Sequence, residues 1–106
     1  MSVSFGFNAG GAGVVVFTFE NENGEPTIPV SAKWSLLRGG KYVNNKENQE
    51  LSGISSPEVE IYLSGDDLVG GEQYIVVEGE YNSVSGGTLP FREWKAFEVF
   101  TPPHPK

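Results

Sequence analysis

A chain of 106 residues is one domain, because two domains of half that length would each be too small to bury a core unaided. The absence of cysteine excludes a disulfide framework, a thiolate metal site and a cysteine nucleophile. Fourteen acidic residues against seven basic ones give a net charge of −7, which repels phosphate backbones and anionic lipids, so we expect neither nucleic acid nor a membrane as partner.

The N-terminal segment, residues 1–13, is predicted to be a strand or arm followed by a flexible, glycine-rich joint. Val3, Phe5 and Phe7 alternate with serine and glycine, which is the period of a strand. The segment either forms the first strand of the domain or pairs with the open sheet edge of a neighbouring molecule. It has no basic opening and no long apolar run, so no cleaved export signal is expected.

Residues 14–101 are predicted to fold as short strands separated by Gly, Asn and Pro, because no segment has a helical period. The strands are predicted at Val14–Glu20, Val30–Leu36, Lys41–Val43, Val59–Leu63, Tyr74–Tyr81 and Trp94–Thr101, with short apolar pieces at Leu51 and Ile54. The strand at Val30–Leu36 alternates most clearly between apolar and polar residues. Its apolar residues are expected to be buried: Val30, Ala32, Trp34 and Leu36. Seven to eight strands at this spacing indicate an all-β antiparallel β-sandwich, with a small barrel as the alternative.

No catalytic, cofactor-binding or metal-binding residues are predicted. The only histidine, His104, lies in a proline-rich tail of residues 102–106 that we expect to be disordered, and a catalytic base needs a rigid position. Two carboxylate pairs have the period of a strand and could serve a small glycosidase: Glu58 with Glu60, and Glu78 with Glu80. A solvated sheet face explains the same spacing, so we expect that the chain is not an enzyme.

Three segments carry apolar residues that a monomeric sandwich does not require. The last strand is apolar on both faces, since Trp94 lies on one parity and Phe97 on the other, so Trp94 and Phe100 either cover the ends of the core or form part of a contact surface. The N-terminal segment is the second, and the third is a long glycine-rich loop predicted at 83–91, where binding residues often lie. The candidate interface residues are Val3, Phe5, Phe7, Leu89, Phe91, Trp94 and Phe100.

Two features resemble immunoglobulin-like and fibronectin type III modules. Leu68 precedes Tyr74 by six positions, as in the turn where a tyrosine hydroxyl pins the corner before a late strand, and Trp34 resembles the buried tryptophan of an early strand. The phase after Tyr74 departs from that pattern, because the better apolar set lies on the opposite parity: Ile75, Val77 and Tyr81. The resemblance implies an immunoglobulin/fibronectin III-like sandwich in which either a bulge shifts the phase or Tyr74 is not a corner tyrosine.

A second resemblance spans most of the chain. The segments FTFENENGEPTIPVSAKWSLL, KYVNN, VEIYLSGDDL, EQYIVVEGEYNS and LPFREWKAFEV occur in an order similar to that of short proteins encoded by tailed bacteriophages and prophages. This resemblance implies a non-enzymatic virion structural protein, in the virion or in the host cytoplasm during assembly, that contacts other virion proteins or itself without a cofactor. The alternative is a carbohydrate- or cell-surface-binding module whose aromatic rings stack on a glycan.

Overall fold

The computed structural model describes residues 6–101, which form an all-β fold without an α-helix. Val3 and Phe5 of the candidate interface, and the predicted tail with His104, lie outside the described residues. No helix in the described part of the chain is long and apolar enough to cross a membrane. The elements are β1 (Gly6–Asn8), β2 (Ala12–Thr18), β3 (Ser31–Arg38), β4 (Lys41–Tyr42), β5 (Gln49–Leu51), β6 (Glu58–Ser64), the 3-10 turn η1 (Gly65–Asp67), β7 (Gly71–Asn82) and β8 (Thr88–Phe100).

The strands form two sheets in a sandwich-like arrangement. The large sheet has the order β1-β8-β7-β3-β4, with β5 paired to another part of β3, and the small sheet contains β2 and β6. All these pairs are antiparallel except β1 with β8, so the prediction of a purely antiparallel sandwich is wrong. Because β1 and β8 come from opposite ends of the chain, no hairpin turn forces them to run antiparallel.

The core lies between the sheets and is formed by one face of β2, β3, β6, β7 and β8. On β6, Val59, Ile61 and Leu63 are buried while Glu58 and Glu60 are exposed, as the alternation predicts. Four other strands (β2, β3, β7 and β8) and three connecting segments contribute the rest of the buried apolar set: Val15, Phe17, Phe19, Ala32, Leu36, Val43, Leu68, Ile75, Val77, Phe97 and Val99.

The prediction for β3 is confirmed only in part. Ala32 and Leu36 are buried, but Trp34 is only partly buried against the core and Val30 is 53% exposed. Val30 precedes the strand, where its N–H donates to the carbonyl oxygen of Glu80 at 2.8 Å. A sheet of two strands is too narrow to cover every inward position of a sheet of six, so Trp34 is not the fully buried tryptophan that the resemblance implies.

Two glycines permit close packing that a side chain would block. Gly79 faces Ala32 across the β7–β3 ladder, and a Cβ at this position would overlap the carbonyl oxygen of Ser31. Gly13 lies beside the ring of Phe7, which a Cβ would also overlap. The segment predicted as a flexible joint up to Gly13 therefore includes the start of β2 and leaves space for the Phe7 ring.

The loop predicted at 83–91 is wrong, because its second half belongs to a strand. Residues 88–91 pair with the end of β7, and 83–87 alone form the turn of a long hairpin. Gly86 and Gly87 have φ values of +99° and +75°, which glycine adopts without steric cost. The glycines that suggested a flexible loop therefore form a tight turn.

A buried glutamine pins the turn between β6 and β7. Gln73 is fully buried, its Oε1 accepts from the N–H of Val69 at 2.8 Å, and its Nε2 donates to the carbonyl oxygen of Asp67 at 2.9 Å. Asp67 is also buried, and its carboxylate accepts from the N–H of Ser64 at 3.1 Å and from the amide of Asn44 at 2.9 Å. Each of these buried polar side chains therefore has the hydrogen-bond partners that burial requires.

Tyr74 does not pin this corner. Its hydroxyl donates to Oε1 of Glu72 at 2.6 Å, at the exposed side of the sheet. Ile75 and Val77 are buried, so the phase is the one that the apolar pattern favours and not that of a corner tyrosine. Gln73 holds the turn in place of the tyrosine that the resemblance suggested.

Replacing Gln73 by leucine should destabilise the domain, whereas replacing Tyr74 by phenylalanine should not. Gln73→Leu leaves the N–H of Val69 and the buried carbonyl of Asp67 without their partner, which costs about 2 kcal/mol. Tyr74→Phe removes only an exposed hydroxyl and should change the free energy of unfolding by less than about 0.5 kcal/mol. Denaturant melts measure both changes. A larger loss for Tyr74→Phe than for Gln73→Leu would contradict the assignment of Gln73 to the turn.

Candidate functional site

The outer face of the large sheet, which points away from the core, carries a continuous apolar surface. Side chains directly opposite each other in a ladder project from the same face, so the register shows which of them are neighbours. A row is a line of directly paired residues that crosses the strands. In one row Leu37 lies between Tyr42 and Tyr74, and in the next row Val76 lies opposite Trp94. We call this surface the outer patch, and it is formed by Leu37, Tyr42, Tyr74, Val76, Trp94 and Ala96.

The outer patch is exposed at Tyr42, Trp94 and Ala96 and half-buried at its other residues, although β8 buries Phe97 and Val99 on its other face. Trp94 is 63% exposed and Ala96 beside it is exposed as well, whereas Phe97 on the same strand is 3% exposed. A strand of a monomeric sandwich needs one apolar face. The outer patch is therefore apolar surface in excess of what folding requires, and such surface is typical of an interaction site.

The two largest rings of the outer patch are inclined to each other. The ring centroids of Tyr74 and Trp94 lie 6.1 Å apart at an interplanar angle of 62°, an edge-to-face contact. The hydrogen bond from the Tyr74 hydroxyl to the Glu72 carboxylate, together with the negative charge, raises the pKa of Tyr74 above its usual value. The outer patch therefore presents a neutral phenol beside an indole, and these two rings are not coplanar.

Charged rows border the outer patch at both ends. At one end, Glu72 and Glu98 lie directly opposite each other, and like charges in this position repel. At the other end the charges alternate across four strands in the order Arg92, Glu78, Lys33 and Glu50. The surface thus has an apolar centre, one purely acidic margin and one margin that contains cations.

Trp94 and Phe100 of the candidate interface both lie on the outer face. Phe100 is 46% exposed, and its ring lies over Gly6 of β1, where a Cβ would approach it to 2.6 Å. The residue between them on this face and next to Phe100 is Glu98. Phe100 is therefore separated from the outer patch by the acidic margin.

Phe7, Leu89 and Phe91 lie on the opposite face of the large sheet. The ring centroid of Phe7 is 5.4 Å from that of Phe97, and Phe91 is 4.9 Å from Phe19. Both rings pack against the core, while Leu89 remains 40% exposed near the hairpin turn. These three residues face away from Trp94, so the structure does not bring them into one surface with it.

Trp94 is the only residue of the outer patch among the candidate interface residues. The sequence does contain a signal for others, because Leu37 follows the buried Leu36 and Val76 lies between two buried residues. These strands are apolar on both parities, like the last strand. The position of Tyr42 beside Leu37 could not be found in this way, since it depends on the register of the β3–β4 pair.

A carboxylate ties together two loops at the far end of the hairpin. Glu22, in the β2–β3 connection, accepts from the hydroxyl of Ser83 at 2.5 Å and from the N–H of Val84 at 3.4 Å. The hydrogen bond from Ser83 lowers the pKa of Glu22 below its usual value. The segment at 83–91, predicted as a long loop that either binds or only connects two strands, is instead a turn at 83–87 held by this contact and the start of β8.

The carboxylate pairs of the sequence lie on solvated faces. Glu58 and Glu60 project from the exposed side of the small sheet, where Glu60 accepts from the Tyr62 hydroxyl at 2.9 Å. Glu78 lies in the mixed charged row beside the outer patch. Within residues 6–101, no group of three or more His, Cys, Asp or Glu could hold a metal ion.

No family model, curated protein or solved structure matches this chain. Its functional interpretation therefore depends on its own geometry, above all on a sheet that forms the core with one face and exposes an apolar patch on the other.

Replacing Trp94 by alanine should leave the stability almost unchanged, whereas the same change at Phe97 should be severe. Both residues are aromatic and lie on β8, but only Phe97 is buried. Phe97→Ala should cost about 3–5 kcal/mol through the cavity it leaves, and Trp94→Ala less than about 1 kcal/mol. Thermal and denaturant melts measure this difference. Equal losses for the two variants would show that Trp94 belongs to the core.

Proposed function

We propose that the chain is a non-enzymatic structural protein of a tailed bacteriophage or prophage, a head decoration, head–tail or tail-associated component, and that it binds within the assembly through the outer patch. The observation behind this proposal is the exposed apolar face of a sheet whose other face already forms the core. Trp94 at 63% exposure adds nothing to the burial of the monomer core. A partner that covers it removes a large aromatic ring from water.

The strand order supports an immunoglobulin/fibronectin III-like sandwich. In the variable-type immunoglobulin fold, strands C′, C, F and G are neighbours in one sheet, and B and E are neighbours in the other. The order β4-β3-β7-β8 and the pair β2-β6 correspond to these. Two features depart from the pattern, since the small sheet has two strands among residues 6–101 and Gln73 replaces Tyr74 at the corner.

The resemblance to phage and prophage proteins supports the assembly class. The segments that carry it coincide with strands and turns, since EQYIVVEGEYNS lies in β7 except for its last residue and VEIYLSGDDL covers most of β6 and all of η1. In ENENGEP the side chain of Asn21 accepts from the N–H groups of Asn23 and Glu25 at 2.9 and 3.1 Å and closes a turn. These segments shape a scaffold, which suits a protein that acts through its surface.

The size of the outer patch favours a repeated contact. Strands lie about 4.8 Å apart and alternate residues about 7 Å apart, so two rows across four strands with their margins cover about 400 Å². A partner would bury about 800 Å² in total, below the roughly 1,200 Å² of a stable pairwise interface. Symmetry that repeats the contact many times supplies the stability that a single contact lacks.

Incorporation into phage particles tests this proposal. Particles are purified after induction of the phage or prophage whose genome encodes the chain, and quantitative mass spectrometry counts the bound copies. The unmodified protein should be present, and Trp94→Ala should reduce its occupancy about tenfold, as expected for an interface aromatic. Tyr62→Ala is the matched control, since Tyr62 is 70% exposed but lies on the small sheet, and it should leave the occupancy unchanged.

Three outcomes would contradict parts of the proposal. If the unmodified protein is absent from purified particles, the phage assignment is wrong. If Trp94→Ala and Tyr62→Ala reach the same occupancy, the outer patch is not the contact. If the free protein binds a glycan array and Trp94→Ala abolishes that binding, the chain is a carbohydrate-binding module.

A further inference from the structure

The outer patch has a self-complementary arrangement of size and charge along β8. Four residues of this strand project from the outer face in the order Arg92, Trp94, Ala96 and Glu98. A large ring lies next to a small side chain at the centre, and opposite charges lie at the two ends. Reversing the strand direction therefore places each residue against a complementary one.

From this order we infer that the partner of the outer patch is a second copy of the same chain, related by a two-fold axis. The axis would lie across the strands, midway between the row of Trp94 and the row of Ala96. It places Trp94 of each copy on Ala96 of the other and Arg92 of each copy on Glu98 of the other. A two-fold contact forms every such pair twice, as in most homodimers. This inference rests on the proposed use of the outer patch as an interface.

The size complementarity comes from the exposure of both central residues. Trp94 projects from the sheet at 63% exposure, and Ala96 is exposed with a single methyl group that leaves space above it. Ser35 on β3 is buried, and its hydroxyl accepts from the N–H of Asn48 at 2.9 Å, so it takes no part in the contact. In the neighbouring column the same axis places Val76 on Tyr74. Larger side chains thus meet smaller ones across much of the contact.

The charge complementarity relieves a repulsion that exists in the single copy. Glu98 lies directly opposite Glu72 on the outer face, and Arg92 of the second copy would supply a cation to this acidic margin. The axis also places Glu72 against Glu78, but Glu78 has Arg92 and Lys33 on either side of it in its row. The direct charge pairs across the axis are therefore one attractive and one repulsive, and the two cations beside Glu78 reduce the repulsion of the second.

The net charge of the chain identifies what kind of contact this is. Two copies that each carry −7 repel at long range, so general electrostatics opposes their association. Only the local pairing of Arg92 with Glu98 and the apolar centre favour it. Together with the small area of the outer patch, this predicts a weak dimer in free solution that becomes stable when an assembly holds many copies side by side.

Charge reversal tests the two-fold pairing directly. Sedimentation velocity, run from micromolar to millimolar concentration, should show weak self-association of the unmodified protein. Arg92→Glu places two carboxylates together and Glu98→Arg places two guanidinium groups together, so each variant alone should associate about tenfold more weakly. The double variant Arg92→Glu/Glu98→Arg should regain the association. An equimolar mixture of the two single variants should do so as well, because each copy then faces opposite charges.

If net charge alone controlled the association, one of these variants would change in the opposite direction. Glu98→Arg reduces the negative charge of the chain and would strengthen a non-specific association, whereas the two-fold pairing predicts a weaker one. Glu58→Arg, which makes the same charge change at an exposed residue of the small sheet, is the control and should not weaken the association. If the mixture associates no better than the single variants, the two-fold pairing is wrong.

This result can be separated from a failure of the proposed function. Should Trp94→Ala abolish particle incorporation while the charge-reversed variants and their mixture show no pattern, the outer patch binds a different virion protein. Should Trp94→Ala affect neither self-association nor incorporation, the outer patch is not an interface at all.

Discussion

A sheet of two strands packs against a sheet of six, and the rest of the structure depends on this mismatch in width. With strands about 4.8 Å apart, β2 and β6 cover only part of the inner face opposite them. Aromatic rings from the margins close the remainder, as Phe7 does on Phe97 and Phe91 does on Phe19. Lys95 adds a link between the sheets, since its Nζ donates to the carbonyl oxygen of Val16 at 2.5 Å.

The same arrangement separates binding from folding. The central strand β7 pairs with β3 on one side and β8 on the other, and Gln73 and Gly79 fix its two ends by a buried hydrogen bond and a close backbone approach. The backbone that carries its outer side chains is therefore paired on both sides, and the contact of Tyr74 with the Trp94 ring adds to this. A surface held in this way binds without first becoming ordered, which reduces the entropy cost of a weak contact.

Much of the fold follows from period-two alternation, and the rest depends on contacts between residues far apart in sequence. The pattern of β6 predicts its buried and exposed residues one by one. It cannot show that β1 runs parallel to β8, or that Gln73 rather than Tyr74 pins a corner, because both depend on tertiary contacts. For the site, two-sided apolarity on the last strand indicates Trp94, whereas the neighbours of Trp94 follow from the register of four strands.

The most direct test of the outer patch as the contact between two copies of the chain is a concentration series of amide and indole NMR spectra of the unmodified protein. The account predicts that raising the concentration shifts the signals of the Trp94 indole and of Ala96 and Val76, since these groups move from water into a contact. Signals of Tyr62 and Val14 on the small sheet should stay constant. Shifts confined to the small sheet, or no shifts up to millimolar concentration, would contradict the account.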